Sequence, residues 1–168
     1  MTESKKYYIF NGGIDKDPVN TLIDYINNNP GNITISFTST GGDMEMGRFL
    51  VHALNDNADR ITLVAVNWIY SCAFKIFHSF KGKRMITFGC GGMFHYTSLN
   101  MSMTYDNKPN YEYEGAAQIA SMKECKKENL NFCKTFMTDK ELDLYKQNRD
   151  VHFSFPRMRQ IFKDVEII

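Results

Sequence analysis

The sequence predicts an α/β fold in which strands are joined by crossover helices. Three observations carry this expectation. β-prone runs alternate with stretches of helical period through the first half of the chain. Gly, Asn and Pro clusters punctuate the junctions, as at Asn11-Gly12-Gly13 and Asn29-Pro30-Gly31. The run at residues 61–66 is almost wholly apolar, the pattern of a parallel strand covered on both faces. At 168 residues, 43% apolar and 23% charged, the chain has the length and composition of one soluble domain spanning residues 1–168.

Tyr7, Tyr8, Ile9 and Phe10 form the first strand, and Pro18 starts a helix with Val19, Leu22, Ile23 and Ile26 on its apolar face. Ile33, Ile35 and Phe37 alternate with polar residues in a second strand that runs into Thr40-Gly41-Gly42. Met46, Phe49, Leu50 and Leu54 mark the next helix, residues 61–66 the third strand, and residues 71–80 a buried helix. Strands at 85–88 and 93–96 follow, then a polar, turn-rich stretch at 97–114 without a clear period. A long helix from about Gly115 carries Ile119, Met122, Leu130, Cys133 and Phe136 on roughly one side. Thr138 and Glu141 have the spacing of a capping box. The tail holds a short helix at 158–162 and a terminal strand at 165–168.

Twenty basic against nineteen acidic side chains give a net charge of +1, without the basic surplus of a nucleic-acid reader. No window approaches the ~20 apolar residues of a membrane span, and the N-terminus has no signal-length apolar run. The expected compartment is the cytoplasm. The four cysteines, Cys72, Cys90, Cys125 and Cys133, form no C-x-x-C pair and have no zinc spacing to histidines. They read as buried free thiols, and neither metal nor cofactor is expected.

Gly41-Gly42, between a strand and a helix, suits either a tight turn or a site where backbone N–H groups approach a ligand. Ser71, at the start of a helix, suits either an N-cap or a nucleophile. At such a helix N-terminus, developing negative charge is favoured and the Cys72 N–H can donate to an oxyanion. The Cys72 side chain, among Trp68, Tyr70 and Phe74, reads as a packed thiol. Of four histidines, His78 lies too far along the helix of Ser71 to act as its base, His52 reads as a surface residue, and His152 follows Asp150 too closely. His95 alternates with Phe94 and Tyr96 in a strand and fits either a structural role or a base.

Together these pieces resemble the Clp protease proteolytic subunit family, ClpP. Residues 37–47, with Gly41-Gly42 and Gly47, resemble its S-P-G-G-x-x-x-x-G segment with Thr40 in place of proline. Thirty positions separate Gly41 from Ser71, similar to the family's distance from that glycine pair to its serine. Lys81-Gly82-Lys83-Arg84 matches its G-K-R, Met93-Phe94-His95 its M-x-H, and Arg149-Asp150 through Ser154 its R-D-x-x-x-S. The opening at residues 8–15 is similar to its first strand and turn.

The resemblance implies a ClpP/crotonase-like spiral of strand–helix units with a protruding handle helix in a region of about 97–137. It implies a serine endopeptidase with Ser71 as nucleophile, His95 as general base and Asp150 orienting His95. The Gly42 and Cys72 N–H groups would form the oxyanion hole. Partners implied are further copies of the chain in stacked rings and a peptide or unfolded-protein substrate. A Clp-type ATPase fits less well, because the chain starts almost at its first core strand, without the family's pore segment. Trp68 and Tyr70 stand where the family has small residues, and they must be packed beside the serine. Two other readings follow: an inactive ClpP-like assembly subunit, and a crotonase-type acyl-CoA enzyme sharing the spiral fold. Short, bulky-shouldered relatives of this kind resemble those in phage genomes, which would place the protein in a host cytosol.

Overall fold

A computed structural model describes residues 6–95 and 111–168, with side chains throughout except at 111–118. In chain order the elements are β1 (Lys6–Asn11), α1 (Lys16–Asn28), β2 (Ile33–Ser39), α2 (Met44–Asn55), β3 (Ile61–Tyr70), α3 (Cys72–Ser79), β4 (Lys83–Ile86) and β5 (Gly91–Phe94). They continue as α4 (Tyr111–Cys133), α5 (Asp139–Lys146), β6 (Val151–Phe153), α6 (Phe155–Ile161) and β7 (Glu166–Ile167). The described residues divide into two compact units: residues 6–94 with 152–168, and those between 95 and 151.

The first unit is built on a mostly parallel sheet in the order β1-β2-β3-β4-β7, with β5 on β3 and β6 on β5. The α/β expectation holds, because helix connections between parallel neighbours leave one sheet face for α1, α2 and α3 to cover. That face carries Phe10, Ile35, Phe37, Leu63 and Ala65, all buried, against Val19, Leu22 and Ile26 of α1 and Leu50 and Leu54 of α2. The opposite face is open: Tyr7 and Ile9 are exposed, and Thr34, Ser36, Thr62 and Val66 are half-buried. The expected cover on both sides of residues 61–66 is therefore corrected. Only Val64 is buried on the far side, where Thr62 and Val66 and the neighbouring Thr34 and Ser36 are half-buried.

β3 pairs with β4 along its first half, Thr62 to Ala65, and with β5 along its last three residues, Trp68 to Tyr70. Between the two pairings its register against β2 jumps, from Phe37↔Ala65 to Ser39↔Ile69. Asn67 takes up the extra length at φ 60°, a left-handed value that Asn tolerates, and the Thr38 hydroxyl donates to the Val66 carbonyl at 2.7 Å. β3 thus runs four residues past the expected strand end.

In the second unit, α4 ends at Cys133, with residues 134–136 in a turn, earlier than the sequence pattern suggests. Ile119 is exposed, Leu130 half-buried and Cys133 buried, so the apolar stripe is covered only toward the end of the helix. The capping box forms as expected: Glu141 N–H donates to the Thr138 hydroxyl, and Thr138 N–H to the Glu141 carboxylate at 2.7 Å. Tyr96 of the expected strand and residues 97–110 of the expected handle region lie outside the described residues.

Arg60 ties the first unit together at the base of the sheet. Its guanidinium donates to the carbonyls of Ile26 (2.9 Å), Asn29 (2.9 Å) and Gly31 (3.1 Å) and to the Asn57 side chain (3.0 Å). Ile26 lies in the last turn of α1, where its carbonyl also accepts from Asn29 N–H at 3.4 Å, and Asn29 and Gly31 follow the helix, so one cation ties the helix end to the turn into β2. Arg60→Met keeps the apolar stem and strands those acceptors. A loss of about 2–3 kcal/mol is expected, read as a lower urea midpoint at unchanged slope.

Candidate active site

The turn from β3 into α3 is the most constrained place in the first unit. Ser71 occupies it at φ 54° and ψ −122°, a region that non-glycine residues rarely enter. Its N–H donates to the Met93 carbonyl at 2.7 Å, continuing the β3–β5 pairing up to the turn. The alternative reading as an N-cap does not hold, since the side chain makes no capping hydrogen bond. The residue is partly buried on a sharp strand-to-helix turn.

Gly41 lies against this turn. A Cβ built there would sit 2.7 Å from Ser71 Cβ, 2.8 Å from the Tyr70 carbonyl oxygen and 3.0 Å from Cys72 N, and its φ of +92° suits glycine. Gly42, the expected oxyanion donor, is one residue further, where a Cβ would meet the Ile14 backbone. The bridge between Ile14 and Gly42 uses the Ile14 N–H to the Gly41 carbonyl (2.9 Å) and the Asp43 N–H to the Ile14 carbonyl (2.8 Å), leaving the Gly42 N–H outside it. Cys72 opens α3, so its N–H has no acceptor inside the helix. Asp43 holds the other side of the loop by capping α2, its carboxylate accepting from Glu45 N–H (2.7 Å) and Met46 N–H (2.9 Å). Nothing in the sequence reading assigned a role to Asp43, although an Asp before a helical period is a capping signal.

The Cys72 thiol points away from the turn. It donates to the Asp43 carbonyl at 3.5 Å and fills the space left by Gly47, where a Cβ would collide with the sulfur. Burial pushes it up to about 12, outweighing the nearby Lys75 cation. His78 is half-buried, with Phe162 at 5.5 Å and Phe74 at 6.3 Å between ring centroids. Burial and the neighbouring Arg84 lower its pKa.

His95 directly follows β5, two residues beyond the Met93 that bonds Ser71. Asp150 is exposed between α5 and β6. α5 ends in a Schellman motif: Asn148 at φ 61° donates to the Tyr145 carbonyl (3.0 Å) and Arg149 to the Leu144 carbonyl (3.1 Å). That turn directs the chain through Asp150 into β6. Ser71, Cys72, Gly41 and Gly42 belong to the first unit, and His95 and Asp150 to the second.

Trp68 and Tyr70 close β3 just before Ser71. Trp68 is 41% exposed and meets Tyr70 at 6.5 Å, and Tyr70 meets the exposed His152 edge-on at 6.2 Å. Alternation puts Ile69 in the core and these two side chains on the opposite face of β3, where Tyr70 is half-buried. Among the described residues no three His, Cys, Asp or Glu side chains gather as metal ligands would, and no helix is long and apolar enough to cross a membrane.

Two outcomes follow. Gly41→Ala drives a methyl into Ser71 and the adjoining backbone, and a loss of about 1–3 kcal/mol in urea unfolding is expected. For alkylation at about pH 8, a thiol titrating near 12 is ionised in only roughly one molecule in ten thousand. Iodoacetamide should therefore modify half-buried Cys125 first in the native protein and spare Cys72 and Cys90, a difference that mass spectrometry reads and that urea abolishes.

No protein-family model and no curated protein matches this sequence. Among solved structures, the fold is similar to that of the ClpP protease catalytic domain from Plasmodium falciparum, with a TM-score of 0.64 and 20% sequence identity. The similarity covers 97% of this chain and 84% of that one. The likeness is one of fold: the expected ClpP-like α/β architecture is the one this chain adopts.

Proposed function

We propose that the chain is a serine endopeptidase of ClpP type that hydrolyses peptide bonds of peptides or unfolded proteins. The observation that carries this reading is the backbone of Ser71. A serine held at φ 54° on a strand-to-helix turn, with no capping bond, carries the kind of conformational strain that gathers at functional sites. The ClpP-like fold supports the reading by analogy of architecture.

In the proposed reaction His95 takes the Ser71 proton as the hydroxyl attacks the scissile carbonyl, then returns it to the leaving amine. Asp150 holds the imidazole tautomer. The Gly42 and Cys72 N–H groups receive the oxyanion, aided by the N-terminal end of α3. Gly41 serves by closeness: any side chain there would push the loop off Ser71. The chain would work as a homo-oligomer of stacked rings, with α4 as the handle between them. The exposed Ile119 on that helix supports such an assembly. An ATPase partner, a cytoplasmic location and a phage source are compatible with this reading, without a structural observation favouring them.

A second reading, an inactive ClpP-like assembly subunit, is favoured by the Trp68–Tyr70 pair just before the serine, with Trp68 exposed. A fluorophosphonate probe separates the two. The peptidase reading expects labelling at Ser71, abolished in Ser71→Ala, with peptide hydrolysis falling by several orders of magnitude in Ser71→Ala and His95→Ala. Asp150→Asn should keep the fold and slow turnover strongly. Equal hydrolysis by wild type and Ser71→Ala, in an intact oligomer, would sink it. Turnover of acyl-CoA thioesters without peptide cleavage would favour the crotonase-type enzyme.

A further inference from the structure

Trp68 and Tyr70 are the two largest side chains of β3, and the proposed reaction gives them no part. Both stand on the face of β3 opposite the buried Ile69. Their ring planes differ by only 32° at a centroid distance of 6.5 Å, so the two π faces look much the same way. In the ladder with β5, Trp68 pairs with Gly91 and Tyr70 with Met93. Gly92 faces the core, where a Cβ would meet Met158 and Phe74, so Gly91 faces the rings. Among the described residues a Cβ at Gly91 would meet only the Phe153 carbonyl oxygen, at 3.6 Å, and no positive φ requires glycine there. The strip beside the indole is thus left low without crowding to explain it. His152 closes the far side, edge-on to Tyr70 at 6.2 Å. All these residues belong to the first unit, with Ser71.

Tyr70 is bonded to Ser71, and the Met93 carbonyl accepts from Ser71 N–H. A peptide held at the serine therefore reaches the rings within one or two residues of extended chain. No carboxylate, ammonium or guanidinium stands among the five residues, which argues against a charged guest. Aromatic pairs gain from offset or edge-to-face contact beyond the area they bury, a gain that an aliphatic guest of similar size lacks. We infer that Trp68, Tyr70 and Gly91 form a subsite that selects an aromatic side chain of the peptide, next to the bond cut, over leucine. The inference rests on the peptidase reading, and its test separates the two.

Trp68 is the chain's sole tryptophan, so its emission reports on the subsite directly. In the Ser71→Ala background, N-acetyl-phenylalaninamide is expected to shift that emission saturably. N-acetyl-leucinamide should bind about fivefold more weakly. Gly91→Val, which suits a strand, and Tyr70→Leu should each weaken the aromatic amide about tenfold, with the fold checked by circular dichroism. In hydrolysis, kcat/KM for a peptide with phenylalanine beside the scissile bond should exceed that of its leucine counterpart about fivefold. Gly91→Val should bring this ratio near one, a comparison made within each protein. The inference is overturned if the leucine amide binds as tightly, if both variants bind normally, or if the ratio is unchanged in Gly91→Val. It is equally overturned if the emission follows protein concentration and not the amide, since the rings then seat a second copy of the chain. Absence of Ser71 labelling and of hydrolysis overturns the peptidase reading alone, and the titration still decides whether the rings select an aromatic side chain.

Discussion

β3 has to serve two neighbours that do not line up, and the bend that allows this is made at Asn67. Its first half lies in the ladder with β2 and β4, and its last three residues pair with β5. An unbroken strand would carry Tyr70 onward in the β4 direction. The bulge at Asn67, held by the Thr38 hydroxyl on the Val66 carbonyl, turns the strand so that Ser71 N–H meets Met93. The same bend brings Tyr70 to Cys72 under Gly41, where only a residue without a side chain fits. The geometry of the turn is therefore fixed from three directions, by β2, by β5 and by the glycine loop. Such over-determination is what allows a left-handed serine to persist.

Cys72 divides its duties between backbone and side chain. Its N–H opens α3 on the side of Ser71, whereas its sulfur goes the other way, into the space that Gly47 leaves on α2. A thiol beside a serine nucleophile would be a competitor if it were exposed and ionised. Burial against an adjacent helix removes that possibility without changing the residue, and the thiol behaves as a small apolar filler.

Most of the architecture was legible because its signals are local. Val19, Leu22 and Ile26 announce α1, alternation at Ile33, Ile35 and Phe37 announces β2, and Thr138 with Glu141 announces α5. β6 was missed as a strand: Val151, His152 and Phe153 are too short a run to show a period, and their pairing with β5 is set by tertiary contact. The bend in β3 was equally hidden, because a bulge depends on the partner strand. At the candidate site, residue order pointed to Ser71 and the glycine pair, but not to which glycine lies against the serine, because that depends on the turn of the backbone. That Trp68 and Tyr70 meet each other and that Tyr70 meets His152 was likewise hidden, because a strand pattern does not say what lies across its faces.

The sheet also has a temporal side. β1, β2 and β3 meet through short helical connections, whereas Met85 of β4 waits for Glu166 of β7, and β5 for β6, across the whole intervening unit. Closing those distant pairs comes at a late and entropically expensive stage. Until then β4 and β5 present unpaired edges, a hazard for chains emerging side by side from neighbouring ribosomes. Lys83 on β4 places a positive charge on that border, the kind of charge that discourages edge-to-edge pairing. In the finished protein Lys83 is joined to Glu166 at 3.1 Å. The charge that keeps strangers from the edge is thus the one that receives the chain's own last strand.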